Sequence, residues 1–244
     1  MKEKLFKAEG LVLRTRVLGE ADRLITLLTR EEGKFEAVAR GARRVKSKLA
    51  AGVDLFTHGR YTFHRGKTWP IITGQDTIDR FNWFRENPDL YAYGLYFSEL
   101  TDRLISGEEP CPEIFDHLME AWSLLGEDTD RFLLSRSFEL KLAHAAGYSP
   151  HLVSCINCGE HHVTAFSPRQ GGMLCSRCRT VDAINIDRGT LALIRRLVEA
   201  PLSQVGLLRP LSNQKKELAA VSAGFLTYHL DLGEIKSRQF LKDS

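Results

Sequence analysis

The sequence predicts an α+β multidomain protein: an N-terminal five-stranded OB-fold β-barrel, followed by an all-α helical domain that carries a four-cysteine zinc module. Three observations predict it. Roughly the first 75 residues alternate polar and apolar side chains with turn chemistry between the runs. Further on, apolar residues recur at helical spacing behind recognisable caps. Four of the five cysteines then fall into two C-x-x-C pairs. A chain of 244 residues, 43% hydrophobic and 27% charged, has material for one large or two modest domains and is unlike a disordered, fibrous or disulfide-dense chain. The expected division is a barrel over 1–80 and a helical domain over 81–244, with the cysteine module at about 150–182.

Charge is unevenly distributed along the chain. Residues 1–80 hold 17 Lys+Arg against 10 Asp+Glu, a net of +7; residues 81–150 hold 5 against 13, a net of −8. The remainder holds 12 against 8, a net of +4, which completes the overall +3. A basic head beside an acidic middle points the head toward a polyanion.

The first strand runs through Gly10–Arg16, with Leu11, Leu13 and Thr15 on one face and Val12, Arg14 and Arg16 on the other. Arg23–Thr29, rich in Leu, Ile and Thr, makes the second. Glu31-Glu32-Gly33-Lys34 supplies the hairpin turn into a third, where Phe35, Ala37 and Ala39 alternate with Glu36, Val38 and Arg40. Arg60–Arg65 makes a fourth, and Gly66-Lys67 turns the chain into a fifth over Trp69–Thr77. Five short strands without a competing helical period suit the OB-fold, which commonly binds single strands; an SH3-like barrel gives a similar pattern.

Between the third and fourth strands, Arg40, Arg43, Arg44, Lys46 and Lys48 occupy nine residues that contain no acid. A solvated loop kept soluble by its charge reads the same way. The sharper reading is a nucleic-acid contact that also takes in Arg14, Arg16, Lys34, Arg60, Arg65 and Lys67. Cations that track phosphates and aromatic faces that stack on bases are what a single-strand groove needs. Phe35, Phe56, Tyr61 and Phe63 are the interleaved aromatics, and Phe35 and Phe63 sit on the more apolar faces, where core packing is favoured.

In the acidic middle, Asn87-Pro88-Asp89 is a helix start: a capping side chain, proline at the first position and an acid at the positive dipole end. Leu90, Tyr93, Phe97, Leu100 and Leu104 follow on one stripe. A second helix begins after Pro112 with Phe115, Leu118, Met119, Trp122 and Leu125, and stops at Gly126; a third spans about Asp130–Ala146 before Gly147. Such aromatic stripes at helical spacing read as core rather than as a cofactor site. Cys111 is a lone thiol. Thr190–Ala200 and Lys215–Leu230 add two helices that rejoin the helical core.

Cys155-Ile156-Asn157-Cys158 and Cys175-Ser176-Arg177-Cys178 are separated by sixteen residues, within the range of zinc-ribbon sites. Each C-x-x-C turn brings two thiolates to one metal, and two turns complete a tetrahedron with sulfur about 2.3 Å from zinc. Four thiolates leave no open position, so one structural Zn2+ per chain is expected. An iron–sulfur cluster uses the same ligands, and zinc is preferred on spacing. His161 and His162 are close enough to compete but are not needed. The N-terminus has no apolar signal core and no run reaches the length of a membrane span. A cytoplasmic location is expected, where paired thiols bind metal rather than oxidise.

Several segments, in order, resemble the RecO family of bacterial recombination and DNA-repair proteins. They are Glu20-Ala21-Asp22-Arg23-Leu24, Ala39-Arg40-Gly41-Ala42-Arg43-Arg44, Phe138-Glu139-Leu140-Lys141-Leu142, Gly147-Tyr148-Ser149-Pro150, Gly171-Gly172-Met173-Leu174-Cys175, and Tyr228-His229-Leu230 followed by Lys236-Ser237-Arg238. Only the cysteine quartet is specific by itself; the ordered set spans essentially the whole chain. The resemblance implies a non-enzymatic mediator that binds single- and double-stranded DNA and anneals complementary strands. It implies action with RecR to load the RecA recombinase on strands coated by single-strand-binding protein; the lack of an apolar span is the separate ground for expecting no membrane partner. It carries Cys155, Cys158, Cys175 and Cys178 over as ligands and Arg40, Arg43 and Arg44 as DNA contacts, while Lys46 and Lys48 rest on charge. Some members lack the quartet, which implies a folding role for the metal. The alternative is an RNA-binding or translation-associated OB-fold protein with a zinc ribbon. A nuclease is disfavoured: the basic head has no phosphate-binding glycine loop, no H-E-x-x-H, no G-x-S-x-G and no clustered carboxylates.

Overall fold

A computed structural model describes residues 4–105, 107, 109–230 and 232–241. Five strands open the chain: β1 (Leu5–Leu18), β2 (Asp22–Thr29), β3 (Gly33–Ala39), β4 (His58–His64) and β5 (Ile71–Asp79). They close into a barrel in the order β1-β2-β3-β5-β4, the topology expected of an OB-fold. Every neighbouring pair is antiparallel except β3–β5, which meet in parallel at Val38 and Ile71. Ala8, Val12, Ile25, Leu27, Ala37, Ala39, Tyr61, Phe63 and Ile72 fill the interior.

One register detail corrects the sequence reading of β1. An irregularity between Val12 and Arg14 breaks the simple alternation: Val12 opposes Leu27, Arg14 opposes Thr26 and Thr15 opposes Ile25. The extra residue sends Val12 inward, although it was grouped with Arg14 and Arg16. A bulge of this kind inserts one residue against the partner strand, so every side chain beyond it changes face. Arg14 and Arg16 still share one face.

Strands give way to helices after Asp79, where the 1–80 boundary is expected. Next come α1 (Trp83–Glu86), α2 (Pro88–Leu104) and α3 (Pro112–Leu125). Asn87 caps α2, its Oδ1 accepting from the N–H groups of Asp89 at 2.9 Å and Leu90 at 3.2 Å. In packing, α1–α3 belong with the barrel: this compact unit runs to Gly126 and takes back a 3-10 turn at Lys236–Phe240. Phe56, entering the barrel, packs its ring against Phe84 (4.4 Å between centroids), Tyr91 (5.3 Å) and Trp122 (5.5 Å). Phe56, Phe84 and Trp122 are fully buried, and aromatics of this size supply much of a small unit's stability.

The second compact unit runs from Glu127 to Ile235. It contains α4 (Arg131–Ala145), a three-stranded sheet of β6 (Ala165–Ser167), β7 (Gly172–Leu174) and β8 (Ile184–Asn185), then α5 (Arg188–Glu199) and α6 (Ser212–His229). The short sheet lies within the cysteine module that this helical region carries, where two cysteine knuckles need paired backbone to hold them in register. Asp130 caps α4 through Leu133 N–H at 3.0 Å, and Gly147, at φ 88°, ends it in the left-handed region that glycine enters without a Cβ penalty. Every residue of α4 from Phe132 to Ala143 is buried. That includes Arg136 and Glu139, an ion pair at 2.8 Å, and Glu139 also accepts from the Ser222 hydroxyl of α6. Among the described residues, no helix is long and apolar enough to cross a membrane.

Candidate metal centre and nucleic-acid interface

The cysteine module hangs between α4 and α5. Backbone ladders hold its knuckles: Ile156 N–H donates to Met173 O at 2.9 Å, Cys155 N–H to Glu160 O at 2.7 Å, and Gly159 N–H to Cys155 O at 2.8 Å. Cys178 N–H closes the second knuckle on Cys175 O at 3.2 Å. The Sγ atoms of Cys155, Cys158, Cys175 and Cys178 all lie within 4.8 Å of one another, and those of Cys158 and Cys175 are 3.7 Å apart. A tetrahedron with metal–sulfur bonds of about 2.3 Å has edges of about 3.8 Å, so the quartet is spaced to take one thiophilic ion. None of the four is in a disulfide. His161 and His162 are exposed and stand outside the cluster.

The electrostatics suit a thiolate site. Burial alone would raise the Cys155 thiol, but the backbone N–H groups of Cys175, Asn157 and Cys158 outweigh it and bring it down to about 6. Hydrogen bonds from the Cys158 and Cys175 side chains, with burial, push Cys178 up to about 12. Four crowded sulfurs cannot all ionise without a cation to neutralise them. With all four ligands from protein and Cys155 and Cys175 buried, the site offers a metal no place for a reacting water.

On the barrel, the eleven candidate cations fall into two groups. The first has acidic or aromatic neighbours. Lys34 Nζ donates to the Asp102 carboxylate of α2 at 3.0 Å and also to the Asp102 carbonyl. Arg14 lies 3.5 Å from Asp102 and 3.8 Å from Glu36, and Arg16 also pairs with Glu36. Arg65 stacks its guanidinium over Phe6 at 4.4 Å and stands 3.7 Å from Glu32. Arg60 is exposed and stands opposite Glu9 on β1 and Asp76 on β5 across the two ladders, with no hydrogen bond or ion pair on its side chain among the described residues. Part of the basic head's charge thus serves to dock the acidic helices. Arg30, paired with Asp116 of α3 at 2.9 Å, does the same.

The second group is the loop after β3 together with Lys67. Arg40, Arg43, Arg44, Lys46 and Lys48 are all exposed. Gly41, at φ 66°, turns the chain out of the strand, and its N–H donates to Asp22 Oδ1 at 2.7 Å. Arg43 N–H donates to Ala21 O at 2.9 Å, and its guanidinium reaches the carbonyls of Gly19 at 3.1 Å and Glu20 at 2.8 Å. These bonds fix the loop's entrance against the β1–β2 turn. Among the described residues, no hydrogen bond or ion pair holds the side chains of Arg40, Arg44, Lys46, Lys48 or, on the β4–β5 hairpin, Lys67.

The proposed stacking aromatics are placed differently. Phe56, Tyr61 and Phe63 are each 1% exposed or less, and Phe35 packs on Phe63 and Phe6 inside the barrel. A small barrel needs large side chains to fill its interior, which took Tyr61 and Phe63 with Phe35 half-buried against them, while Phe56 is buried against the helices. Among the described residues, the barrel's exposed aromatic is Trp69, on the β4–β5 hairpin, which the sequence reading treats only as the start of a strand. A tryptophan beside a proline in a hairpin rich in cations is the signal that would have marked it.

The chain matches the family model for the recombination protein O N terminal over residues 1–81 and that for the recombination protein O C terminal over residues 85–239. It is 33% identical over 243 residues to the DNA repair protein RecO of Pelotomaculum thermopropionicum, covering 98% of this chain and 94% of that one. It is 32% identical to the DNA repair protein RecO of Symbiobacterium thermophilum over 97% and 96% of the two chains, and 34% identical to that of Desulfitobacterium hafniense over 93% and 86%. With both halves matched in order on an OB barrel and a cysteine quartet spaced for a metal, the chain belongs to the RecO family of DNA repair proteins.

Proposed function

We propose that this protein is a non-enzymatic DNA-binding mediator of recombinational repair, working in the cytoplasm. In this reading it binds single- and double-stranded DNA and anneals complementary strands. With RecR, it helps RecA assemble on strands coated by single-strand-binding protein. One structural Zn2+, held by Cys155, Cys158, Cys175 and Cys178, keeps the module folded. The observation that carries the reading is the loop of five exposed cations, Arg40, Arg43, Arg44, Lys46 and Lys48, anchored at its entrance to the barrel, with the side chains of Arg40, Arg44, Lys46 and Lys48 unpaired among the described residues. Arg40, Arg44, Lys46 and Lys48 meet a phosphate backbone without first breaking internal pairs, whereas Arg43 also holds the Gly19 and Glu20 carbonyls. Arg14, Arg16, Lys34, Arg60 and Arg65 have acidic or aromatic neighbours of their own, so they are the weaker contacts, and Lys67 joins the loop as a free cation.

The test is annealing of complementary labelled strands covered with single-strand-binding protein, with and without RecR. The expected result is faster annealing with the protein and RecA loading when RecR is added. No acceleration in any arm refutes the mediator role, and magnesium-dependent turnover of labelled DNA by the pure protein refutes the absence of catalysis. RNA of equal length competing better than DNA would favour the translation-associated alternative.

A further inference from the structure

We infer that Trp69 is a base-stacking platform for single-stranded DNA, a role that rests on the proposed DNA binding and adds to it a specific nucleobase contact. Of the barrel's aromatics, Phe56, Tyr61 and Phe63 are buried and Phe6 and Phe35 pack with Phe63, whereas Trp69 is 36% exposed. Among the described residues, no aromatic ring or cation is stacked on it. Tryptophan has the largest apolar surface of any side chain, and leaving it on a hairpin forgoes burial that the other rings obtained.

The position of Trp69 gives that exposure a use. The next residue, Pro70, accepts a hydrogen bond from Val38 N–H at 2.8 Å, so the chain leaves the β4–β5 hairpin alongside β3. Arg40, where the basic loop begins, lies two residues beyond Val38 on that strand, about 7 Å at the rise of a β-strand. Lys67, exposed and unpaired among the described residues, lies two residues before Trp69. From Ala37 to Gln75 the chain carries eight Lys and Arg but one acid, Asp54, and that acid is paired with Arg23. An exposed aromatic ring beside a cation-rich loop is the combination that binds single strands: cations hold the phosphates and the ring takes a base. The loop between the last two barrel strands is also one that OB-folds use for oligonucleotides. A duplex keeps its bases stacked on each other, so the ring should contribute little there.

The test uses the full chain with oligo-dT and a duplex of equal length, each read by anisotropy of labelled DNA. Trp69→Ala should weaken oligo-dT binding by between about fivefold and about 150-fold, the value of one stacked base, with the salt slope unchanged because no cation is lost. Duplex affinity should move by less than about twofold, and Trp69→Phe should recover most of the oligo-dT affinity. Trp122 is buried and Trp83 half-buried, so tryptophan fluorescence quenching by oligo-dT should be lost in Trp69→Phe. Wild-type oligo-dT affinity in Trp69→Ala, or undiminished quenching in Trp69→Phe, would overturn the inference while leaving DNA binding intact. An equal loss on duplex and single strand would overturn it as well. If wild-type protein binds neither DNA, the underlying reading fails, and the two failures are thereby distinguished.

Discussion

Replacing Arg40, Arg44, Lys46 and Lys48 together by alanine separates the free cations of the barrel from the engaged ones. These four side chains are exposed and carry no internal hydrogen bond or ion pair among the described residues, so their removal costs the fold little, within about 0.5 kcal/mol. If each neutralises one phosphate of a single strand, the slope of log affinity against log salt flattens by about 0.7 per residue, or up to about 2.8 for the set. Between about 50 and 200 mM salt, wild-type protein should then lose roughly 50-fold more affinity than the variant. The comparison variant replaces Lys34 and Arg14, which are tied to Asp102. It should leave the slope nearly unchanged and lower the thermal midpoint instead, since a half-buried Asp102 loses its partners. Anisotropy titrations of labelled oligo-dT over a salt series give both slopes. A quadruple variant with the wild-type slope, or a paired-set variant that flattens it more, would refute the division between free and engaged cations.

Elemental analysis should find one zinc per chain. Cys175→Ser/Cys178→Ser should lose it and lower the melting temperature, with DNA affinity falling only as the fold is lost; full stability of that variant would contradict a structural metal. In α4, Glu139→Ala should cost about 3–5 kcal/mol in urea unfolding by leaving Arg136 buried and unpaired. The double change Arg136→Met/Glu139→Leu should be close to neutral, and a single-variant cost below about 1 kcal/mol would show that water reaches the pair. Burial works against the Glu99 carboxylate, but Ser237 and Lys236 N–H, the Ser237 hydroxyl and Arg103 outweigh it and hold its pKa below the usual range. A lowered folded value contributes stability in full above the ordinary carboxylate range and loses it as pH falls through that lowered value, so docking of Lys236–Phe240 should weaken below about pH 4. Glu99→Gln should speed hydrogen exchange at the Lys236 and Ser237 amides at neutral pH, and unchanged exchange would rule out the clamp.

Much of the local structure was legible because it is written in short-range chemistry. Asn87, Asp130 and Gly147 mark helix ends through bonds or dihedrals that involve only their own neighbours. The cysteine quartet was legible because metal chelation fixes spacing within each knuckle. Less legible were features set by partners distant in sequence. The β1 irregularity depends on register with β2, and the β6–β8 sheet consists of strands of two or three residues with too little pattern to announce themselves. The buried polar residues of α4 look like a solvent face until Ser222 and the Leu197 carbonyl, which accepts from Ser137, are brought against them.

The site divides along the same line. By itself the sequence determined that a basic barrel precedes an acidic helical region, that four cysteines form one ligand set, and which residues carry charge. Only the tertiary structure decided which charges remain available. Lys34 and Arg40 are equivalent in composition, but the fold sets one against Asp102 and leaves the other in solvent. It also turned Phe56, Tyr61 and Phe63 inward and left Trp69 outside. The physical reason is common to both: a side chain's residue type fixes what it can bind, while its availability depends on what the folded chain has already placed against it.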